Sequence, residues 1–172
     1  MLCKYHAGLI IGLILLASVN ANAESIYQEP ADFIASAFDG NEPKSAVLWI
    51  TNDIQNKSYS ILGRNLRQLR IRYWQVANRS AWILDETGKD LPITTGVVVE
   101  SGAIKTIKVL IFRESRGWEV RYPFFTNQFK DAQLDTKNQL DHSIDNISGA
   151  TLSVNALKRQ ARLALLLSTY ID

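Results

Sequence analysis

Ile93-Thr94-Thr95-Gly96-Val97-Val98-Val99-Glu100-Ser101-Gly102-Ala103-Ile104-Lys105-Thr106-Ile107-Lys108-Val109-Leu110-Ile111-Phe112 decides the fold. Both halves are rich in β-branched residues, which suit a pleated, half-buried surface. Ser101-Gly102 between them reads as a tight turn. The stretch therefore predicts two antiparallel strands, Ile93 to Glu100 and Ile104 to Phe112. In the second strand Ile104, Ile107, Val109 and Ile111 mix with Lys105 and Lys108, so the inward face is not clean. Upstream, Leu69 to Trp74 alternates apolar residues with Arg70 and Arg72, and Ala81 to Leu84 is another apolar run. Glu86-Thr87-Gly88-Lys89 reads as a turn. Together these segments predict an antiparallel meander.

Helices flank it. Glu29-Pro30-Ala31-Asp32 opens a short one with Phe33, Ile34, Ala37 and Phe38 on one side, and Asp39-Gly40-Asn41 ends it. Proline suits the first turn, where its missing N–H has no partner to lose. Ser45 to Ile50 is apolar and fits either a strand or the lead-in to a helix. Thr51 or Asn52 caps a second helix that stops at Gly63. Pro123 to Phe129 predicts a short helix, and Leu134 to Asn146 a polar loop. Leu152 to Ile171 is the longest helical stretch, with Leu152, Ala156, Leu157, Ala161, Ala164 and Leu165 as its apolar stripe. Lys158, Arg159 and Arg162 interrupt it and argue against a membrane span. The class is α+β, a twisted antiparallel sheet covered by helices.

Composition narrows the chemistry. The 172 residues are 47% apolar and 21% charged, with a formal net charge of +2. That excludes a disordered tail, a collagen repeat and a disulfide scaffold. Leu9 to Val19 is an apolar run shorter than the roughly 20 residues a membrane span needs. Lys4 and His6 precede it, and Ala21-Asn22-Ala23 follows as a small-x-small cleavage site. Residues 1–23 therefore read as a signal peptide, with a retained membrane anchor as the alternative, and residues 24–172 as a single domain. Cleavage removes Cys3 and Met1, the one cysteine and the one methionine, and leaves His142 as the one histidine. Thiolate clusters, Cys/His zinc sites, haem attachment by Cys-x-x-Cys-His and a cysteine nucleophile are then excluded. There is no Gly-x-Ser-x-Gly elbow for a serine hydrolase and no Gly-x-Gly-x-x-Gly for a dinucleotide. Redox chemistry would require an organic cofactor.

Asp145-Asn146-Ile147-Ser148-Gly149-Ala150-Thr151 precedes the last helix. Physically it is a compact turn that delivers a hydroxyl to a helix N-terminus. Gly149 and Ala150 let a large group approach the backbone. The first helical N–H groups lack intrahelical acceptors and, with the helix dipole, suit a phosphate. The plainer reading is a Ser/Thr cap on a C-terminal helix.

The whole string resembles the flavinylation sequon of the FMN-binding domain family. That family includes flavin-carrying components of the sodium-pumping NADH:quinone oxidoreductase and of the related Rnf complex. The pattern is Asp, two variable positions of which the second is aliphatic, Ser/Thr, Gly, Ala and Ser/Thr. All fixed positions match. The resemblance implies that Thr151 carries FMN through a phosphoester, made from FAD by an ApbE-type flavin transferase. It implies that Asp145, Ser148, Gly149 and Ala150 complete the recognised sequon. Upstream, Arg113-Glu114-Ser115-Arg116-Gly117-Trp118-Glu119 stands where family members often carry Glu-Thr-Pro-Gly-x-Gly. Glu114 and Gly117 match, Ser115 replaces Thr, Arg116 replaces Pro, and Glu119 replaces the second Gly. The resemblance implies that this segment lies against the flavin. Phe125-x-x-Gln128-Phe129-Lys130 also resembles the segment that follows in the family, so the likeness covers about 93–170. Residues 24–84 carry no assignable motif.

Several residues keep two readings. Glu114 is a ring contact or a strand-end carboxylate. Arg113 and Arg116 neutralise a phosphate or pair with Glu114 and Glu119. Trp118 stacks on a flavin or packs on the sheet. Arg64, Arg67, Arg70 and Arg72, with Tyr73 and Trp74, form a solvated basic face or a docking surface for an acidic redox partner. The even charge balance argues against nucleic acid. His142 beside Asp141 and Asp145 reads as a surface histidine rather than a metal ligand. The function implied is a periplasmic electron carrier, or a redox subunit, with covalent FMN. It would pass electrons from a membrane-bound donor to a periplasmic acceptor. The alternative is a periplasmic binding or interaction module with the same fold and no covalent flavin.

Overall fold

A computed structural model describes residues 24–41 and 43–171. The signal-peptide reading of residues 1–23 lies outside them. The described chain forms an α+β fold around one antiparallel sheet. Its elements are β1 (Ser25–Ile26), α1 (Pro30–Ala37), β2 (Ala46–Trp49), α2 (Asn52–Leu62), β3 (Arg70–Val76), β4 (Arg79–Thr87), β5 (Pro92–Glu100), β6 (Ala103–Phe112), α3 (Pro123–Thr126) and α4 (Thr151–Ser168). Single 3-10 turns at Trp118–Arg121 and Asn127–Phe129 flank α3. The sheet order is β1-β6-β5-β4-β3-β2.

The β5–β6 hairpin forms where the two β-branched runs predict it. Glu100 pairs with Ala103 across Ser101 and Gly102, which both have positive φ (52° and 78°). Such a turn matches the twist of the flanking strands. β5 is buried from Ile93 to Val99, because helices cover both faces of the sheet there. Register shifts at Thr94/Thr95 and Val98/Val99 explain the untidy alternation of β6. The extra residues let Ile104 and Ile107, and likewise Val109 and Phe112, share the larger core although each pair lies three positions apart.

The larger core packs α2 and α4 against Ile71, Trp82, Leu84, Ile93, Val97, Val99, Ile104 and Ile107. The smaller one packs Phe33, Ile34 and Phe38 of α1 and its C-terminal end against Ala81, Val98 and Leu110. Gly96 makes α1's position possible, since a Cβ there would lie 2.4–2.6 Å from the Phe33 ring.

α4 is held by polar contacts as well as by apolar burial. Gln160, 1% exposed, donates through Nε2 to the carbonyls of Leu84 and Ile93, both at 2.8 Å. Glu86, 6% exposed, accepts from Arg64 of the α2–β3 connection at 2.5 Å and from Arg159 of α4 at 2.9 Å.

Of the two readings of Ser45 to Ile50 the strand holds, because Ala46–Trp49 pairs antiparallel with β3. Three expectations need correction. β4 runs on to Thr87, so Glu86 and Thr87 belong to a strand and the turn falls at 88–91. The pairing of Thr87 with Pro92 carries the ladder past the polar residues. Leu152 lies off the apolar stripe, 49% exposed, because the first turn of α4 buries Ser153 and Val154 and turns Leu152 to the outward side. No serine or threonine caps α4: its N-cap is Ala150, and no side chain caps it.

Replacing Gly96 with alanine forces the Phe33 ring aside and destabilises the fold by roughly 1–3 kcal/mol. Urea denaturation measures the loss. Combining it with Phe33→Leu, which shortens the opposing side chain, should recover part of it.

Candidate functional site

Two segments separated in sequence meet at the start of α4. Gly117, buried and at φ +83°, lies so close to the helix that a Cβ would fall 2.4 Å from the Ser153 Oγ and 3.4 Å from the Ala150 Cβ. This contact seats the Glu114–Gly117 segment against the sequon. Between them is a cleft of about 410 Å³ lined by Lys89, Glu114, Ser115, Arg116 and the run Gly149–Ser153.

The sequon loop is set up for exposure. Gly149 takes φ +82° with open space where a Cβ would be. The Ala150 amide donates to the Ile147 carbonyl at 2.9 Å, and its carbonyl accepts the Val154 amide at 2.9 Å. Thr151 is exposed at the first position of the helix, and its Oγ1 accepts the Asn146 Nδ2–H at 3.0 Å. An uncapped helix end concentrates unsatisfied N–H groups and a partial positive charge. Lys89 and Arg116 add full cations to the lining. Lys89 also meets Asp90 at 3.2 Å in an exposed pair of little energetic weight. The arrangement suits a phosphate group next to a hydroxyl.

Glu114 serves the wall of the cleft. Its Oε1 accepts the backbone N–H groups of Lys89, Asp90 and Leu91 at 2.5, 2.6 and 2.9 Å. One carboxylate thereby fixes the β4–β5 turn that carries Lys89. Arg113 does not pair with Glu114 or Glu119. It reaches Glu24 at 2.7 Å and donates to Thr94 Oγ1 at 2.9 Å, because it leaves β6 toward the N-terminal segment. Trp118 follows Gly117 but does not line the cleft. It meets Tyr122 edge to face at 5.8 Å, with the Arg121 guanidinium over both rings. Asp145 and Ser148 are exposed on the approach to the helix and do not line the cleft either.

Sequence reading missed Lys89, Asn146 and Ser153. Asn146 occupies a variable position of the pattern, and only the loop's curvature brings it to Thr151. The loop's anchors were also hidden. The Asp145 amide donates to Gln128 Oε1 at 2.7 Å. His142 places Nδ1 2.8 Å from Asp141 Oδ1 and Nε2 2.9 Å from the Gln128 carbonyl. Both ring nitrogens face acceptors, so the doubly protonated imidazolium suits the site.

Residues 88–166 match the family model of the FMN-binding domain. The chain carries an FMN-binding domain. It is a flavin-binding protein, and the matched stretch spans Lys89, the Glu114–Gly117 segment, the sequon and most of α4. No curated protein matches the chain. The residues present fit the cofactor's phosphate: a hydroxyl, an uncapped helix end and two cations share one open cleft. In this FMN-binding domain, the family's glycine positions answer to φ and close approach.

Two outcomes test this account. Removing the Glu114 carboxylate by Glu114→Ala frees three amides and loosens the β4–β5 turn, costing roughly 1–3 kcal/mol in chemical denaturation. The Gln128 carbonyl, with Asp141 assisting, raises the His142 pKa above its ordinary 6.5. A raised value means that His142 stabilises the fold fully below 6.5, and that this contribution fades as pH rises through the folded-state value. An NMR titration of His142 should place its midpoint above 6.5, and Asp141→Asn should lower it.

Proposed function

We propose that Thr151 carries FMN through a phosphoester, and that the protein is a periplasmic electron carrier or a redox subunit of a larger complex. The observation that carries this reading is the exposed Thr151 hydroxyl at the uncapped start of α4, facing a cleft lined by Lys89 and Arg116. A flavin transferase of the ApbE type would form the bond from FAD. The Thr151 Oγ–P bond forms, the pyrophosphate bond breaks, AMP leaves, and the hydroxyl proton is lost.

This chain's own residues hold and orient. Asn146 donates to the Thr151 Oγ1 and fixes its rotamer, leaving the hydroxyl proton free for removal. The first N–H groups of α4 and the side chains of Lys89 and Arg116 balance phosphate charge. Gly149 leaves the backbone open for close approach. Gly117 and Ser153 keep the facing wall in place. When bound, FMN accepts and returns electrons, its potential tuned by nearby charge and hydrogen bonds. The tether would keep a small cofactor from being lost after export. The donor would be a membrane-bound oxidoreductase and the acceptor a periplasmic redox protein.

The exported protein, co-expressed with the transferase, should gain the mass of one FMN less one water. Thr151→Ala should abolish that gain while keeping the circular dichroism of the parent. Asn146→Ala should slow the loading rate and leave the final extent unchanged. An unmodified mass beside an active transferase would overturn the covalent reading in favour of a module that binds flavin reversibly. The same spectrum reports whether residues 1–23 have been removed.

A further inference from the structure

The sheet is split on the side away from β6. β3 pairs with β4 only from Tyr73 to Val76, against Arg79 to Trp82. The earlier part of β3, Arg70 to Arg72, pairs with β2, whereas the later part of β4, Ile83 to Thr87, pairs with β5. The two stretches diverge, and each presents an unpaired strand edge to the opening between them. That opening is a cleft of about 580 Å³, roomier than the one at Thr151. Its floor includes Ile71 and Leu163, and one wall carries Arg67, Arg70 and Arg72.

These arginines are unlike the others in the cleft wall. Arg64 is committed to the buried Glu86. Arg67, Arg70 and Arg72 are exposed and form no ion pair among the described residues. Arg70 lies over the ring of Trp49, which is 63% exposed, and Leu69 beside it is 79% exposed. Three guanidiniums without a carboxylate partner and two open strand edges thus line one opening, with the exposed Trp49 and Leu69 adjoining Arg70 at its margin. It adjoins the flavin cleft, since Asp90 lines this opening and Lys89, its neighbour in the same turn, lines the other.

We propose that this opening is the docking site for an acidic, extended segment of a partner protein. Unpaired strand edges recognise polypeptide backbone, as in strand addition to a sheet. The arginines select carboxylate side chains and steer the encounter. A lipid surface matches the site less well, because the cleft is concave and its recognition groups are strand edges, which pair with polypeptide backbone. Docking here brings the partner against the turn that Glu114 clamps at the edge of the flavin cleft. The inference rests on the carrier reading only for what the partner is for. The docking itself requires no covalent flavin.

The test uses the exported protein and a labelled decapeptide alternating glutamate with valine, with a glutamine–valine peptide as control. Fluorescence anisotropy should show binding of the acidic peptide that weakens with added salt, and no binding of the control. Amide shifts should fall in 64–72 and 83–90. Charge reversal at Arg67, Arg70 and Arg72 together should weaken binding at least tenfold. If that variant loses its fold, Arg70→Ala alone should weaken it at least threefold. Thr151→Ala should bind as the parent does, so docking and flavin attachment are scored separately. The proposal is overturned by no binding at millimolar peptide, by shifts mapping elsewhere, or by arginine variants that bind normally. It is overturned too if phosphatidylglycerol vesicles bind through these arginines while the peptide does not.

Discussion

The buried seating of α4 on strands β4 and β5 governs the rest of the molecule. Gln160 inserts a side-chain amide that satisfies the carbonyls of Leu84 and Ile93 at once. Beside it, Glu86 is neutralised by Arg159 of α4 and by Arg64 of the α2–β3 connection. A buried carboxylate is tolerable only with such partners, and removing one leaves an uncompensated charge. These contacts, with the apolar face from Val154 to Leu167, fix where α4 begins. The start of α4 is the position of Thr151.

From that anchor the site is assembled by close approach. Gly117 lies against Ser153 and Ala150 with no room for a side chain, so the segment after β6 is pressed onto the helix. Glu114, four residues after Leu110, gathers three amides of the β4–β5 turn and brings Lys89 to the cleft. Separate stretches of chain thus line one opening. None of them is regular secondary structure except the first turn of α4. The sheet supplies the rigidity that lets irregular segments hold their geometry.

The stretch 24–87, outside the matched domain, completes the sheet and gives it asymmetry. α1 covers the face of the sheet opposite α4, through Phe33 over Gly96. β2 draws the start of β3 away from β4, and the split leaves a basic opening next to the cleft at Thr151. The flavin-binding domain and the segment before it therefore share one sheet while presenting separate surfaces.

Local signals were legible in the sequence where local chemistry suffices. Thr51 caps α2 by accepting the Ile54 amide, and Gly63 ends it at φ +68°, as side-chain reach and backbone freedom require. The β5–β6 hairpin follows from two β-branched runs around a two-residue turn. The sequon pointed to Thr151 because its fixed positions are contiguous. Other assignments turned on partners distant in the chain. Ala46–Trp49 became a strand only because β3 offered an edge, and Glu86 entered a strand because two arginines compensate its burial. Glu114 carried no sign in the sequence of the three amides it accepts, which lie more than twenty residues away. Lys89 and Asn146 reach the cleft through loop paths that no periodicity records. The sequence by itself determined the α+β class, the hairpin, the helix ends and the hydroxyl at the start of α4, because each depends on neighbours a few residues apart. The tertiary structure alone decided which charges face the cleft, which carboxylates serve the scaffold, and where the sheet opens, because burial and pairing depend on chain segments that meet only after folding.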